Sequence, residues 1–194
     1  MEKRIFETQM EVRSEGETPT LRGTAAVFNS DSEKLGFFIE RIQPGAFDDV
    51  LNDDVRALFN HDPNFILGRT KAGTLKLSVS DEGLVYEVDL PDTNVARDLA
   101  TSISRGDISQ SSFAFQVGKD RWLMEGDTEV RVIERVNRLF DVSPVTYPAY
   151  PDTSVAKRSH DQWKEETVEK VVDCTEIRNK IRKSIMNSAK QPKV

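Results

Sequence analysis

From Thr74 to Leu90 apolar and polar residues alternate with a period of two on both sides of Asp81-Glu82-Gly83, which is the pattern of a β-hairpin with one buried face. The same period recurs along most of the chain. Residues 4–13 place Ile5, Phe6, Met10 and Val12 among charged neighbours, and Leu21 to Phe28 resumes the pattern after a Gly16/Pro19 turn. The segment Gly36 to Ile42 precedes Pro44-Gly45-Ala46-Phe47, where a turn is expected to lead into a short helix through Asp53, and Val55 to Asn60 reads as a buried strand. Ile108 to Val117 and Val130 to Val136 are expected to be strands joined across a charged hairpin at Gly126-Asp127, with another strand over Leu139 to Tyr147. One helix interrupts this series. Pro91-Asp92-Thr93 offers a capping residue, Val95, Leu99 and Ile103 recur every four residues, and Gly106 is placed to end it. Many short strands with one or two helices predict a mainly β fold, an antiparallel barrel or closed sheet, because a βαβ fold would need helices between most strands.

Composition narrows the function. With 27 Lys and Arg against 33 Asp and Glu, the formal net charge is −6, and nucleic-acid binding, which needs a basic surface, is not expected as the main activity. No apolar run is long enough to cross a bilayer, and the start lacks the uninterrupted apolar stretch of a secretory signal, so a cytosolic protein is expected. Cys174 is the single cysteine and His61 and His160 the two histidines, so neither a disulfide, a thiolate cluster nor a zinc site is expected; no cofactor or metal is predicted. A chain of 194 residues can bury one substantial core. Residues 1–156 are assigned to it. Residues 157–194 lose glycine, keep Trp163 as their one Phe, Trp or Tyr, and gain charge; Val168, Val171, Val172, Ile177, Ile181 and Ile185 give a narrow helical stripe suited to docking.

The segment from Gly106 to Phe115 places hydroxyl groups where a strand leaves a turn. A serine hydroxyl is a weak nucleophile until a base takes its proton, and imidazole suits that task near neutral pH. His61 ends an apolar run, whereas His160 lies in the charged tail, so His61 is the natural base. On the strand Ser111, Phe113 and Phe115 share one face while Ser112 and Ala114 share the other, so Ser112 is expected to face a cleft and Ser111 the core. An imidazole also needs a group to hold its far nitrogen. Asp141 in an apolar strand, Glu134 among Val130, Val132 and Val136, and Asp62 beside His61 are the candidates. The residue types alone leave equally open a structural serine, a turn histidine, a capping Asp141, and a Glu134 paired with Arg131 or Arg138.

Gly23-Thr24-Ala25-Ala26-Val27-Phe28, Glu40-Arg41-Ile42-Gln43-Pro44-Gly45-Ala46-Phe47, Asn60-His61-Asp62-Pro63 with Leu67-Gly68-Arg69-Thr70, Gly106-Asp107-Ile108-Ser109 with Ser112-Phe113-Ala114-Phe115, and the segment from Asp141 to Tyr150 follow one another over residues 5–156. In this order they resemble the tailed-phage prohead proteases, capsid-maturation serine peptidases related in fold to the herpesvirus assemblins. The resemblance implies a herpesvirus-protease-like antiparallel β-barrel followed by a helical tail, with His61 as base and Ser112 as nucleophile. The herpesvirus relatives use a second histidine as orienter. None is available within residues 1–156, so the role passes to an acid, and Asp141 fits best because it begins the matching Val-Ser-Pro-Val segment, with Glu134 as its rival. The resemblance further implies an endopeptidase that cuts scaffolding segments from the major capsid protein, and its own chain, inside the immature prohead in the host cytoplasm. The expected partners are the capsid protein, its scaffold and a second copy of the protease. The alternative is a capsid-associated scaffolding protein that keeps the barrel and does no chemistry.

Overall fold

The structure, a computed structural model, describes residues 1–8, 10–13, 18–147, 156–165 and 167. The chain divides into two compact units, Met1–Asp152 and Thr153–Val194. In the second unit residues 156–165 are helical, and the His160 and Trp163 rings lie 5.7 Å apart. The stripe from Val168 to Ile185, and Cys174, fall outside the described residues.

The strands of the first unit, in chain order, are β1 (Glu2–Glu7), β2 (Met10–Arg13), β3 (Thr20–Val27), β4 (Phe38–Ile42), β5 (Arg56–Phe59), β6 (Asp62–Arg69), β7 (Leu75–Val79), β8 (Gly83–Asp89), β9 (Gln110–Glu125) and β10 (Thr128–Val145). Helix α1 (Asn94–Arg105) joins β8 to β9. Thr93 Oγ1 accepts from the Ala96 amide, and Gly106 ends the helix at φ 81°, a left-handed conformation that glycine adopts without a Cβ clash. Ala96, rather than Val95, joins Leu99 and Ile103 on the buried face.

The mainly β expectation holds, but the closed antiparallel barrel does not. The strands form two open sheets, one ordered β1-β9-β10-β5-β6 with β4 also on β10, the other β2-β3-β8-β7. Two of the pairings, β4 and β5 with β10, are parallel. The reason lies in the length of the β9–β10 hairpin. The two strands expected over Val130 to Tyr147 are one continuous strand of 18 residues, and its outer edge carries β4 beside Glu129–Ile133 and β5 beside Asp141–Val142. The sheet therefore grows along one long strand instead of curling shut. Residues 4–13, read from the sequence as one alternating run, are likewise shared out, β1 to the first sheet and β2 to the second.

Between β4 and β5, β10 is irregular, with register shifts between Ile133 and Arg135 and again up to Asp141. A bulge leaves ladder groups without a strand partner. The segment from Gln43 to Asp53 supplies partners instead: Gln43 N donates to Ile133 O, Val136 N donates to Ala46 O, and Leu139 N donates to Asp53 Oδ2 at 3.1 Å. The sequence predicts a short helix here, but the chain makes successive tight turns starting from Gly45 at φ 87°. This leaves Phe47 and Val50 free to enter the core, where Phe47 meets the edge of Phe113 at 5.5 Å. Phe113, Phe115, Leu139 and Val142 from the long hairpin meet Leu21, Tyr86, Val88, Leu99 and Ile103 in that core. Full burial of each such side chain contributes roughly 1.5–3 kcal/mol.

One cluster in this unit is charged. Arg4 donates to Glu40 Oε1 at 2.7 Å and to Glu2 Oε2 at 2.5 Å, and Arg131 donates to Glu2, Glu40 and Asp120. Arg131 is 1% exposed, and the two glutamates are buried with it. Burial works against the guanidinium charges, but Glu40 and Glu2 outweigh it and hold both arginines above the ordinary arginine pKa. The cluster ties β1 to β4, β9 and β10.

The acceptor that Asp53 offers the bulge gives a direct test. Asp53→Ala should cost about 1–3 kcal/mol in denaturant unfolding, because it orphans the Leu139 amide. Asp53→Asn keeps a carbonyl oxygen and should recover most of that loss.

Candidate active site

His61 is carried by the turn between β5 and β6. Phe59 pairs with Asp62, leaving the two-residue loop Asn60-His61, and both of these residues have positive φ, 55° and 57°. Two positive φ values are those of a type I′ hairpin, whose second position is usually glycine. A histidine there is strained at a cost of order 1–3 kcal/mol, so neighbouring bonds must hold it. Asn60 supplies them. Its amide donates to Pro144 O at 3.0 Å, its Nδ2 donates to Thr146 Oγ1 at 3.1 Å, and its Oδ1 accepts from Thr146 N at 2.9 Å.

Ser112 lies on β9, directly across from Ile5 of β1 on one side and Ser143 of β10 on the other. Asp141 shares its face only because of a bulge. The register runs from Leu139 opposite Phe115 to Asp141 opposite Ala114, so Phe140 is an extra residue in β10. Without it Asp141, two residues after Leu139, would turn with Leu139 into the core, since a one-residue slip moves every side chain to the other face.

These three elements, distant in sequence, bring the side chains into one hydrogen-bonded chain. His61 Nε2 is 2.6 Å from Ser112 Oγ, and His61 Nδ1 is 2.5 Å from Asp141 Oδ1. Ser143 Oγ donates to the same Asp141 oxygen at 2.8 Å. A carboxylate can only accept, so Nδ1 carries a proton and, in the neutral ring, Nε2 presents its lone pair to Ser112. Ser112 has a second acceptor for its proton, the Arg4 carbonyl at 2.9 Å. The hydroxyl faces away from Phe113 as the strand period predicts, yet it does not open onto a cleft: Ser112 is 0% exposed.

The other candidates are engaged elsewhere. Ser111 is buried on the core face with its Oγ 3.0 Å from Tyr86 Oη; burial pushes that phenol up to about 12, and the bond to Ser111 works against the shift. Glu134 pairs with Lys119 at 2.6 Å and Arg121 at 2.8 Å, and the hydrogen bond from Lys119 holds its carboxyl below the usual glutamate range. Asp62 caps its own turn by accepting from the amide of Asn64. A groove lined by Thr8, Met10, Gly23, Val85, Ile103 and Ser109 contains none of the three linked residues. Among the described residues no group of three His, Cys, Asp or Glu side chains could hold a metal ion, and no helix is long and apolar enough to cross a membrane.

Sequence reasoning passed over Asn60, Ser143, Thr146 and Arg4. Ser143 was within reach of it, two residues from Asp141 on a strand. Arg4 acts through its backbone carbonyl, for which no residue type is diagnostic.

The sequence model of one family, described as Caudovirus prohead serine protease, matches residues 6–166. No curated protein and no solved structure matches the chain.

The competing acids can be separated by the imidazole itself. Asp141→Asn should shift the ring nitrogen resonances of His61, and Glu134→Gln should leave them where they are. The opposite pattern in nitrogen-detected NMR would show that Glu134 is the partner in solution.

Proposed function

The chain belongs to the Caudovirus prohead serine protease family, and from that premise we propose that it is an endopeptidase that cleaves scaffolding segments and capsid protein inside the assembling prohead, with Ser112 as nucleophile, His61 as base and Asp141 as orienter. The observation that carries this reading is the continuous bonding from Ser112 Oγ through both nitrogens of His61 to Asp141 Oδ1. Such a linkage is what nucleophile activation requires, and no metal or cofactor enters the chemistry.

In the proposed reaction Ser112 Oγ attacks the scissile carbonyl carbon as its proton passes to His61 Nε2. The positive charge that develops on the ring is balanced by Asp141, whose oxygen is held in place by the Ser143 hydroxyl. Collapse of the tetrahedral intermediate breaks the C–N bond, and His61 returns the proton to the departing amine. Water then attacks the acyl-enzyme, with His61 again taking a proton, and frees Ser112. The Arg4 carbonyl competes for the serine proton in the resting state, so attack requires the hydroxyl to turn from Arg4 toward His61.

The partners that fit this reading are the major capsid protein, its scaffold and a second copy of the protease, met inside the prohead in the host cytoplasm. In this reading the segment from residue 157 onward serves for docking and as a place for self-cleavage. A second reading, a capsid-associated scaffolding protein without chemistry, draws support from the complete burial of Ser112.

A fluorophosphonate probe decides between them. The purified chain should label, Ser112→Ala should not label, and His61→Ala should label at least about a hundredfold more slowly, in line with loss of a general base. Ser111→Ala should label like the parent. A folded chain that takes no label would favour the scaffold, and labelling that depends on Ser111 would move the nucleophile.

A further inference from the structure

The β5–β6 turn presents a mismatch between its conformation and its sequence. Its second residue, where a type I′ turn favours glycine, is His61, and the ladder that should steady it stops short: β5 pairs with β10 at Arg56 and Ala57. Three residues further on the link to β10 is renewed by Asn60. Its backbone amide reaches Pro144, and its carboxamide makes a reciprocal pair with Thr146, accepting from the amide and donating to the hydroxyl. The strand so gripped is the one that carries Asp141 and Ser143.

We propose that Asn60 is a positioning residue, whose carboxamide clamp on Thr146 sets the reach of the His61 imidazole to Asp141 and Ser112. The proposal rests on the reading of His61 as the base and adds the device that places it. The competing explanation is local: asparagine tolerates positive φ better than most residues, and Asn60 would then serve the turn alone. The two accounts differ in what glycine does. Glycine suits the conformation still better but carries no carboxamide, so Asn60→Gly removes the clamp while relieving the backbone. Both Asn60 and Thr146 are exposed, so losing their side-chain bonds leaves the buried core intact.

The test uses the full chain and three variants, Asn60→Gly, Asn60→Asp and Thr146→Val. Two readouts are followed besides thermal unfolding. One is fluorophosphonate labelling, split into probe affinity and the rate constant at saturation. The other is the downfield proton resonance of the His61 Nδ1–H bonded to Asp141, which does not depend on activity.

Asn60→Gly should unfold at or above the parent temperature, keep the probe affinity, lose about tenfold in the saturating rate and lose the resonance. Asn60→Asp should restore both, because its carboxylate still accepts from the Thr146 amide and the Thr146 hydroxyl can rotate to donate. Thr146→Val should fall between them. Parental labelling and an unchanged resonance in folded Asn60→Gly would overturn the proposal. Should that variant not fold, unchanged behaviour of Thr146→Val overturns it instead. A folded parent that takes no label would sink the proteolytic reading, while the resonance in the variants would still judge the clamp.

Discussion

The antiparallel ladder between β9 and β10 is the constraint on which the other features of the first unit depend. It carries Ser112 on one strand and Asp141 and Ser143 on the other, so the relation between them is set by backbone register rather than by side-chain reach. Register is stiff where one face is buried, because Phe113, Phe115, Leu139 and Val142 would all leave the core if it slipped by one residue. The bulge at Phe140 is the single interruption that brings an acid from the core side to the serine side. The acceptors that Asp53 and Ala46 offer show what it takes to keep such irregularities inside a sheet: the amides of Leu139 and Val136 find partners outside the ladder.

Around that ladder the structure places two devices of opposite character. On one side the buried cluster of Glu2, Arg4, Glu40 and Arg131 anchors β1, and the Arg4 carbonyl then lies against the Ser112 hydroxyl. Charges removed from water are tolerated here because each meets an opposite charge at hydrogen-bonding distance; loss of one partner would leave its mate uncompensated. On the other side a short strained turn projects His61, held to β10 by exposed bonds. Ser112 is thus gripped by a strand in the sheet and His61 by a lighter contact, and in the proposed reaction the proton between them is contested by the Arg4 carbonyl.

Much of this could be seen in the residues. The β7–β8 hairpin, the capped helix ending at Gly106 and the outward face of Ser112 all follow from local period and turn chemistry. The errors share a cause. The barrel, the helix after Pro44 and the division of β10 into two strands each depended on which segments pair at long range, and alternation carries no information about partners. The burial of Ser112 was missed for the same reason, since β1, which lies beside it, is more than a hundred residues away in the chain.

The sequence by itself determined the mainly β character of the chain, the residue types able to perform serine chemistry, and the scarcity of histidine that made His61 the natural candidate base. These are properties of composition and of spacing along a few residues, where steric and hydrophobic preferences act locally. Only the tertiary structure decided which acid meets His61. Glu134 and Asp62 are carboxylates like Asp141, but salt bridges occupy the first and its own turn the second, while a bulge in β10 and a positive-φ turn in β5–β6 bring Asp141 and His61 within one hydrogen bond. That choice arises from register and strand pairing, quantities that exist only once segments 80 residues apart have met.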